Sequence, residues 1–129
     1  MSSPAQASRK FVALIPQALE FGSSYVLRAQ GVQFQDTPDT YYEGVDARVR
    51  GHRENLEELS KRRILLDGNP EKGEGLLLQI FTQNVIGPIF FEIIQRKGND
   101  GFGEGNFRAL FESIERDQIR RGVLAESPR

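Results

Sequence analysis

Apolar and polar positions along this chain change period several times, and each change marks an element. Phe11-Val12-Ala13-Leu14-Ile15 is a short continuous apolar run that predicts a buried strand, and Pro16 suits the first turn of a following helix. Residues 17–30 place Phe21 and Leu27 on one face of that helix, with Gly22-Ser23-Ser24 weakening it and Gly31 ending it. Val32-Gln33-Phe34 alternates like a strand fragment, and Thr37-Pro38-Asp39 is turn chemistry. From 45 to 63 charges dominate, with Glu57 and Lys61, and Glu58 and Arg62, four apart in the order that supports an exposed helix.

Strand patterning follows. Residues 63–67, then 76–81, then 89–95 are apolar runs joined by short links that contain Gly68-Asn69-Pro70 and Gly87-Pro88, so an antiparallel meander is expected. The last helix has the clearest period, with Phe107, Leu110, Phe111 and Ile114 at i, i+3, i+4 and i+7. Asn106 is its expected N-cap, Glu112 and Arg116 an expected exposed pair, and Gly122 its stop. The predicted order is strand, helix, extended segment, helix, three strands, helix: an α+β domain.

With 129 residues the chain has the length of one domain, here divided into a disordered start at 1–10, a folded unit at 11–124 and a flexible tail at 125–129. Seventeen Lys and Arg against eighteen Asp and Glu give a net charge of -1, which removes the basic footprint that a nucleic-acid partner requires. Zero Cys excludes thiolate zinc sites, iron–sulfur clusters and a cysteine nucleophile. One His excludes three-His zinc and two-His-one-carboxylate iron within a single copy. No apolar run reaches the ~20 residues of a membrane span, and the stretch after Ser8-Arg9-Lys10 is too short for a signal peptide, so a cytoplasmic protein is expected.

Three features invite chemistry. Gly101, Gly103 and Gly105 resemble part of a dinucleotide fingerprint, but position 106 is Asn and the setting is a meander, so the glycines are expected to turn the chain and bring Phe102 and Phe107 to the sheet. Glu92 stands alone among Ile89, Phe90, Phe91, Ile93 and Ile94; it is either an edge-strand carboxylate in water or a buried one that needs a cation, a metal or water. Strand alternation puts Leu77, Gln79 and Phe81 on one face of the neighbouring strand, so a Glu, a Gln and several Phe would converge as an apolar pocket with polar anchors. His52 is expected at the surface, and Asp36 and Asp39 are expected to form turns.

The stretches Leu76-Leu77-Leu78-Gln79-Ile80-Phe81, Phe90-Phe91-Glu92-Ile93-Ile94-Gln95-Arg96-Lys97-Gly98, Gly101-Phe102-Gly103-Glu104-Gly105-Asn106-Phe107 and Leu110-Phe111-Glu112-Ser113-Ile114-Glu115 resemble the C-terminal part of 4-hydroxyphenylpyruvate dioxygenases of bacterial type. Asp36-Thr37-Pro38-Asp39-Thr40-Tyr41-Tyr42 is similar as well. The resemblance runs from about Leu27 to Leu124. It implies a vicinal-oxygen-chelate, or glyoxalase-like, βαβββ module with an inserted helix and a C-terminal helix. It further implies Fe(II) on two His and one Glu, with Glu92 as that Glu. Gln79, Phe81, Phe102, Asn106 and Phe107 are the implied substrate-binding residues, 4-hydroxyphenylpyruvate and O₂ the implied substrates, and homogentisate and CO₂ the implied products.

The sequence departs from that pattern at the iron. Counted back without gaps, the second His falls near Val12, the module bearing the first His is absent, and His52 lies where the family has no ligand. A truncated or frame-shifted reading of a longer gene, inactive by itself, is therefore expected. The alternative is a non-catalytic binding module that forms a homodimer through its open sheet.

Overall fold

A computed structural model describes residues 10–16 and 28–124. Its sheet contains β1 (Lys10–Pro16), β2 (Leu65–Gly68), β3 (Leu76–Phe81) and β4 (Ile89–Lys97) in the order β1-β4-β3-β2. β2, β3 and β4 form the expected antiparallel meander, and β1 lies parallel to β4 on its far side. All six residues of β3 are buried, which explains why its sequence is a continuous apolar run broken only by Gln79. The fold class is α+β.

Register assigns the two faces of the sheet. Leu65, Leu77, Gln79, Phe81, Glu92 and Ile94 share one, since Leu65 pairs with Gln79, Gln79 with Ile94 and Phe81 with Glu92. Leu66, Leu78, Ile80 and Ile93 point the other way and join a core with Tyr42, Val45, Val49, Leu59 and Ile64 from the helical segment. That segment comprises α1 (Asp39–Glu43), α2 (Val45–Arg48) and α3 (Leu56–Arg62). The chain closes with α4 (Glu104–Arg120), which packs on α1 and β2.

Several expectations are corrected. The charged stretch 45–63 is not one helix: the backbone leaves α2 at Val49 and turns around the His52 imidazole, whose Nδ1 accepts from the Glu54 N–H (2.9 Å) while Nε2 meets Asp46 Oδ1 (2.7 Å). His52 is thus not a free surface residue, for its side chain is only 8% exposed. Asn55 then caps α3 by accepting from the Glu58 N–H, and Glu58 pairs with Arg62 at 3.1 Å as expected. Val32-Gln33-Phe34 makes only an isolated bridge, Phe34 to Thr82. Pro16 belongs to β1, and residues 17–27 of the expected first helix lie outside the described residues. Asp36 and Asp39 do shape a turn, with Asp36 accepting from the Thr37 N–H, and both pair with Arg63.

The largest correction concerns α4. Its N-cap is Gly103, not Asn106, and its buried residues are Asn106 and Ser113. The apolar stripe faces outward, with Phe111 60% exposed and Phe107 and Ile114 each 37% exposed. Polar bonds decide which face turns in: Thr40 Oγ1 donates to the Ser113 carbonyl (2.6 Å), and Arg116 reaches the Thr40 carbonyl (3.0 Å) instead of Glu112. Glu112 pairs with Arg108 (2.9 Å).

Candidate functional site

Glu92 sits on β4 beside Phe81 of β3, near the side of the sheet covered by the start of α4. It is 6% exposed, so a carboxylate has been taken out of water. Burial pushes its pKa upward, and the Gln79 amide and the Arg96 charge pull partly back. Of the two readings left open by the sequence, burial with a partner is the one observed, and the partner is Gln79, whose Nε2 donates to Glu92 Oε1.

Gln79 is itself fully buried, and its carboxamide is used at both ends. Its Oε1 accepts from Asn106 Nδ2 at 2.7 Å, and its Nε2 also lies 3.4 Å from the Phe102 carbonyl. The glycines upstream make this approach possible. Gly103 adopts φ +76, and any side chain there would run into the Gln79 carboxamide. At Gly105 a Cβ would come within 2.5 Å of Asp67 Oδ1; Asp67 Oδ2 accepts the Gly105 N–H at 2.9 Å and ties the start of α4 to β2. Of the three glycines only Gly103 takes the positive φ expected of a turning glycine; Gly105 is instead required by the close approach of Asp67, and the Phe102 ring is not brought to the sheet.

The aromatic residues divide. The Phe81 ring stands 6.0 Å from the Phe107 ring, tilted by 44°, and 6.0 Å from the Phe90 ring. Phe102 is 57% exposed, its ring under the Arg96 guanidinium at 5.2 Å, while Arg96 also holds the Asn99 and Gly101 carbonyls. The structure thus brings together Gln79, Phe81, Glu92, Asn106 and Phe107, and adds Phe102 through its backbone carbonyl while its ring turns out. Val12, where a second ligand was expected, falls in the irregular stretch of β1 between the residues that pair with Phe90 and Glu92.

Three residues of the site carried no sequence signal. The Tyr41 hydroxyl meets the Leu66 N–H (2.9 Å) and Asn106 Oδ1, and Arg48 Nη2 meets the Tyr41 hydroxyl (2.9 Å) and the Leu66 carbonyl (2.7 Å). Asp67 pairs with Arg48 at 3.4 Å. Tyr41 and Asn106 are 65 positions apart, so no local spacing links them.

These donors do not make a metal centre. Among the described residues no three His, Cys, Asp or Glu side chains cluster as a metal site requires. Glu92 is a single carboxylate, and His52 is engaged with Asp46 and Glu54. No helix of the described residues is long and apolar enough to cross a membrane.

Comparison with known proteins supplies the context. No family model matches the chain. A 4-hydroxyphenylpyruvate dioxygenase of Pseudomonas aeruginosa is 70% identical over 98 residues, 76% of this chain and 27% of that protein. Hemolysin VllY of Vibrio vulnificus is 70% identical over the same length, 76% of this chain and 27% of its own. A 4-hydroxyphenylpyruvate dioxygenase of Legionella pneumophila is 64% identical over 100 residues, 78% of this chain and 29% of the relative. Among solved structures, a mutant 4-hydroxymandelate synthase from Streptomyces coelicolor superposes with a TM-score of 0.62 at 34% identity, covering 81% of this chain and 29% of that one. The chain spans less than a third of the length of the curated relatives that it matches. Over that stretch it is similar to the C-terminal portion of 4-hydroxyphenylpyruvate dioxygenases.

Proposed function

We propose that this chain forms one wall of a 4-hydroxyphenylpyruvate dioxygenase site, the wall that carries the carboxylate and the ring clamp. In the complete reaction 4-hydroxyphenylpyruvate and O₂ give homogentisate and CO₂. Phe81 and Phe107 take the aromatic ring of the substrate between them, and Gln79 and Asn106 supply the polar lining. Phe102 joins by turning its ring inward. Glu92 is the one protein donor that these residues offer to Fe(II). The observation that carries the reading is a buried Glu92 held by a buried Gln79 next to the Phe81 and Phe107 rings, within a stretch 64–70% identical to the named dioxygenases. The strand order β1-β4-β3-β2, with β1 parallel to β4, supports assigning the fold to a glyoxalase-like βαβββ module.

The donor set does not fit iron, so the 129 residues are inactive by themselves and the remaining ligands of a working site come from other groups. Losing two ligands outright weakens metal binding by far more than the ~10–100-fold of a lost supporting contact. Two measurements test the reading. Oxygen uptake by the chain with 4-hydroxyphenylpyruvate and Fe(II) stays at the no-protein rate; uptake above it overturns the inactivity. Titration with 4-hydroxyphenylpyruvate shifts the NMR signals of Phe81, Phe107 and Gln79, and no shift up to about 10 mM, the weak end of measurable affinity, overturns the substrate assignment.

A further inference from the structure

We infer that Arg48 and Tyr41 are positioning residues that set the direction of the Gln79 carboxamide, so that its NH₂ group always faces Glu92. Hydrogen-bond polarity sets that direction. A guanidinium has only donors, and a tyrosine hydroxyl has one proton. Arg48 Nη2 donates to the Tyr41 hydroxyl at 2.9 Å, and the Leu66 N–H donates to the same oxygen at 2.9 Å. The Leu66 carbonyl accepts from Arg48 Nη2 at 2.7 Å and lies 3.2 Å from the Tyr41 hydroxyl. Asn106 Oδ1 lies closer to the hydroxyl than the Leu66 carbonyl does, and it is 3.4 Å from Arg48 Nη2, which can only donate, so the oxygen end of the Asn106 carboxamide faces this pair.

From there each amide has one choice. Asn106 Oδ1 is an acceptor, so Nδ2 points the other way and donates to Gln79 Oε1 at 2.7 Å. Gln79 Oε1 is then occupied, and its Nε2 donates to Glu92 Oε1. Reversing any one member would set two acceptors or two donors against each other in a buried place, at the cost of an unsatisfied polar group. The chain begins at an Arg48–Asp67 ion pair on the solvent side and ends on a carboxylate 44 positions further along the sequence. Because Gln79 always offers a donor, the Glu92 oxygen that faces it acts as an acceptor. That this orientation serves the dioxygenase site rests on the function proposed above; the orientation itself does not.

Proton–nitrogen NMR of the full chain, without metal or substrate, tests it through the side-chain NH₂ of Gln79. In the wild type those protons exchange with water at least about tenfold more slowly than in a free glutamine, and the two are widely separated in shift because one bonds a carboxylate. Arg48→Met and Tyr41→Phe each return exchange and separation towards the free values, while the backbone amides of β3 stay protected. Asn106→Asp, which removes the Nδ2 donor to Gln79 Oε1, does the same. Arg48→Lys, which keeps a cation but not the fork, restores only part of the protection. Arg48→Met sits at the partly exposed end of the chain and keeps the test available should Tyr41→Phe fail to fold. Unchanged Gln79 signals in the folded Arg48→Met and Asn106→Asp proteins overturn the proposal. Loss of the substrate-induced shifts at Phe81 and Phe107 with an intact Gln79 signature overturns the proposed function and leaves the orientation standing.

Discussion

At the scale of single residues, Glu92 was visible in the sequence because a lone carboxylate in an apolar strand has to be explained by its surroundings. Its partner was visible only as a face, since alternation put Gln79 on the same side of β3 as Phe81. Tyr41, Arg48 and Asp67 were not legible, because their roles depend on contacts between segments that nothing in local spacing brings together. His52 misled for the same reason: Asp46 and the Glu54 N–H lie close in sequence, but only the turn closes them around the ring. The buried carboxylate has a consequence for stability. Burial raises the Glu92 pKa, so the folded state holds its proton to higher pH than the unfolded chain does. Stability from this group is present at low pH and declines as pH rises past the ordinary carboxylate value towards the raised one. Glu92→Gln, which still accepts from Gln79, should therefore be more stable than wild type at neutral pH, with the gain vanishing in acid. Urea melts across that range check it, and a Glu92→Gln protein less stable at neutral pH would show that the carboxylate is a stabilising ion.

At the scale of elements, the meander was readable because each strand is a short apolar run between turn residues, and β3 agrees with its predicted limits. The helical stretch 45–63 was misjudged because its charges are compatible with one helix or two. For α4 the period is legible in the sequence and the buried face is not. Phe107, Phe111 and Ile114 form a stripe that stays partly exposed, whereas the bonds of Thr40, Asn106 and Arg116 turn the polar side in. Substitutions separate the two. Phe111→Ser, at a largely exposed site, should cost less stability than a substitution that overfills the buried face. Ser113→Leu, at a site with no exposure, should cost about 1–3 kcal/mol by overpacking against α1. The reverse order in thermal or urea melts would put the stripe back in the core. Gly103→Ala tests the entry to the helix. A Cβ at φ +76 is strained and collides with Gln79, so about 1–3 kcal/mol should be lost together with the slow exchange of the Gln79 amide. Retained stability and exchange would mean that the loop can shift away.

At the scale of the whole molecule, the helical segment and α4 are joined to the sheet through the Tyr41 phenol as well as through apolar contacts. Tyr41 carries the hydroxyl that closes the outer edge of β2, and Tyr42 stands against it, the rings 4.9 Å apart and nearly perpendicular. Burial pushes the Tyr41 pKa up to about 12, with the Arg48 charge pulling back, and pushes Tyr42 further still. An acid whose folded pKa is raised contributes stability that is complete below the unfolded value of about 10 and is lost as pH climbs towards the folded one. For Tyr41 that is on the order of 2–3 kcal/mol by the time pH reaches its folded pKa, and Tyr42 adds to the same side. Neither phenol can ionise in place at moderate alkalinity, so the sheet edge, α1 and α4 should come apart together. In a Tyr25→Phe variant, which leaves these two tyrosines, tyrosinate absorbance should stay flat past the ordinary tyrosine value and then rise in one step with the loss of far-ultraviolet circular dichroism. A gradual rise centred on the ordinary value, in a protein that keeps its dichroism, would show that the phenols reach water in the native fold and that the edge of β2 is held by something other than Tyr41.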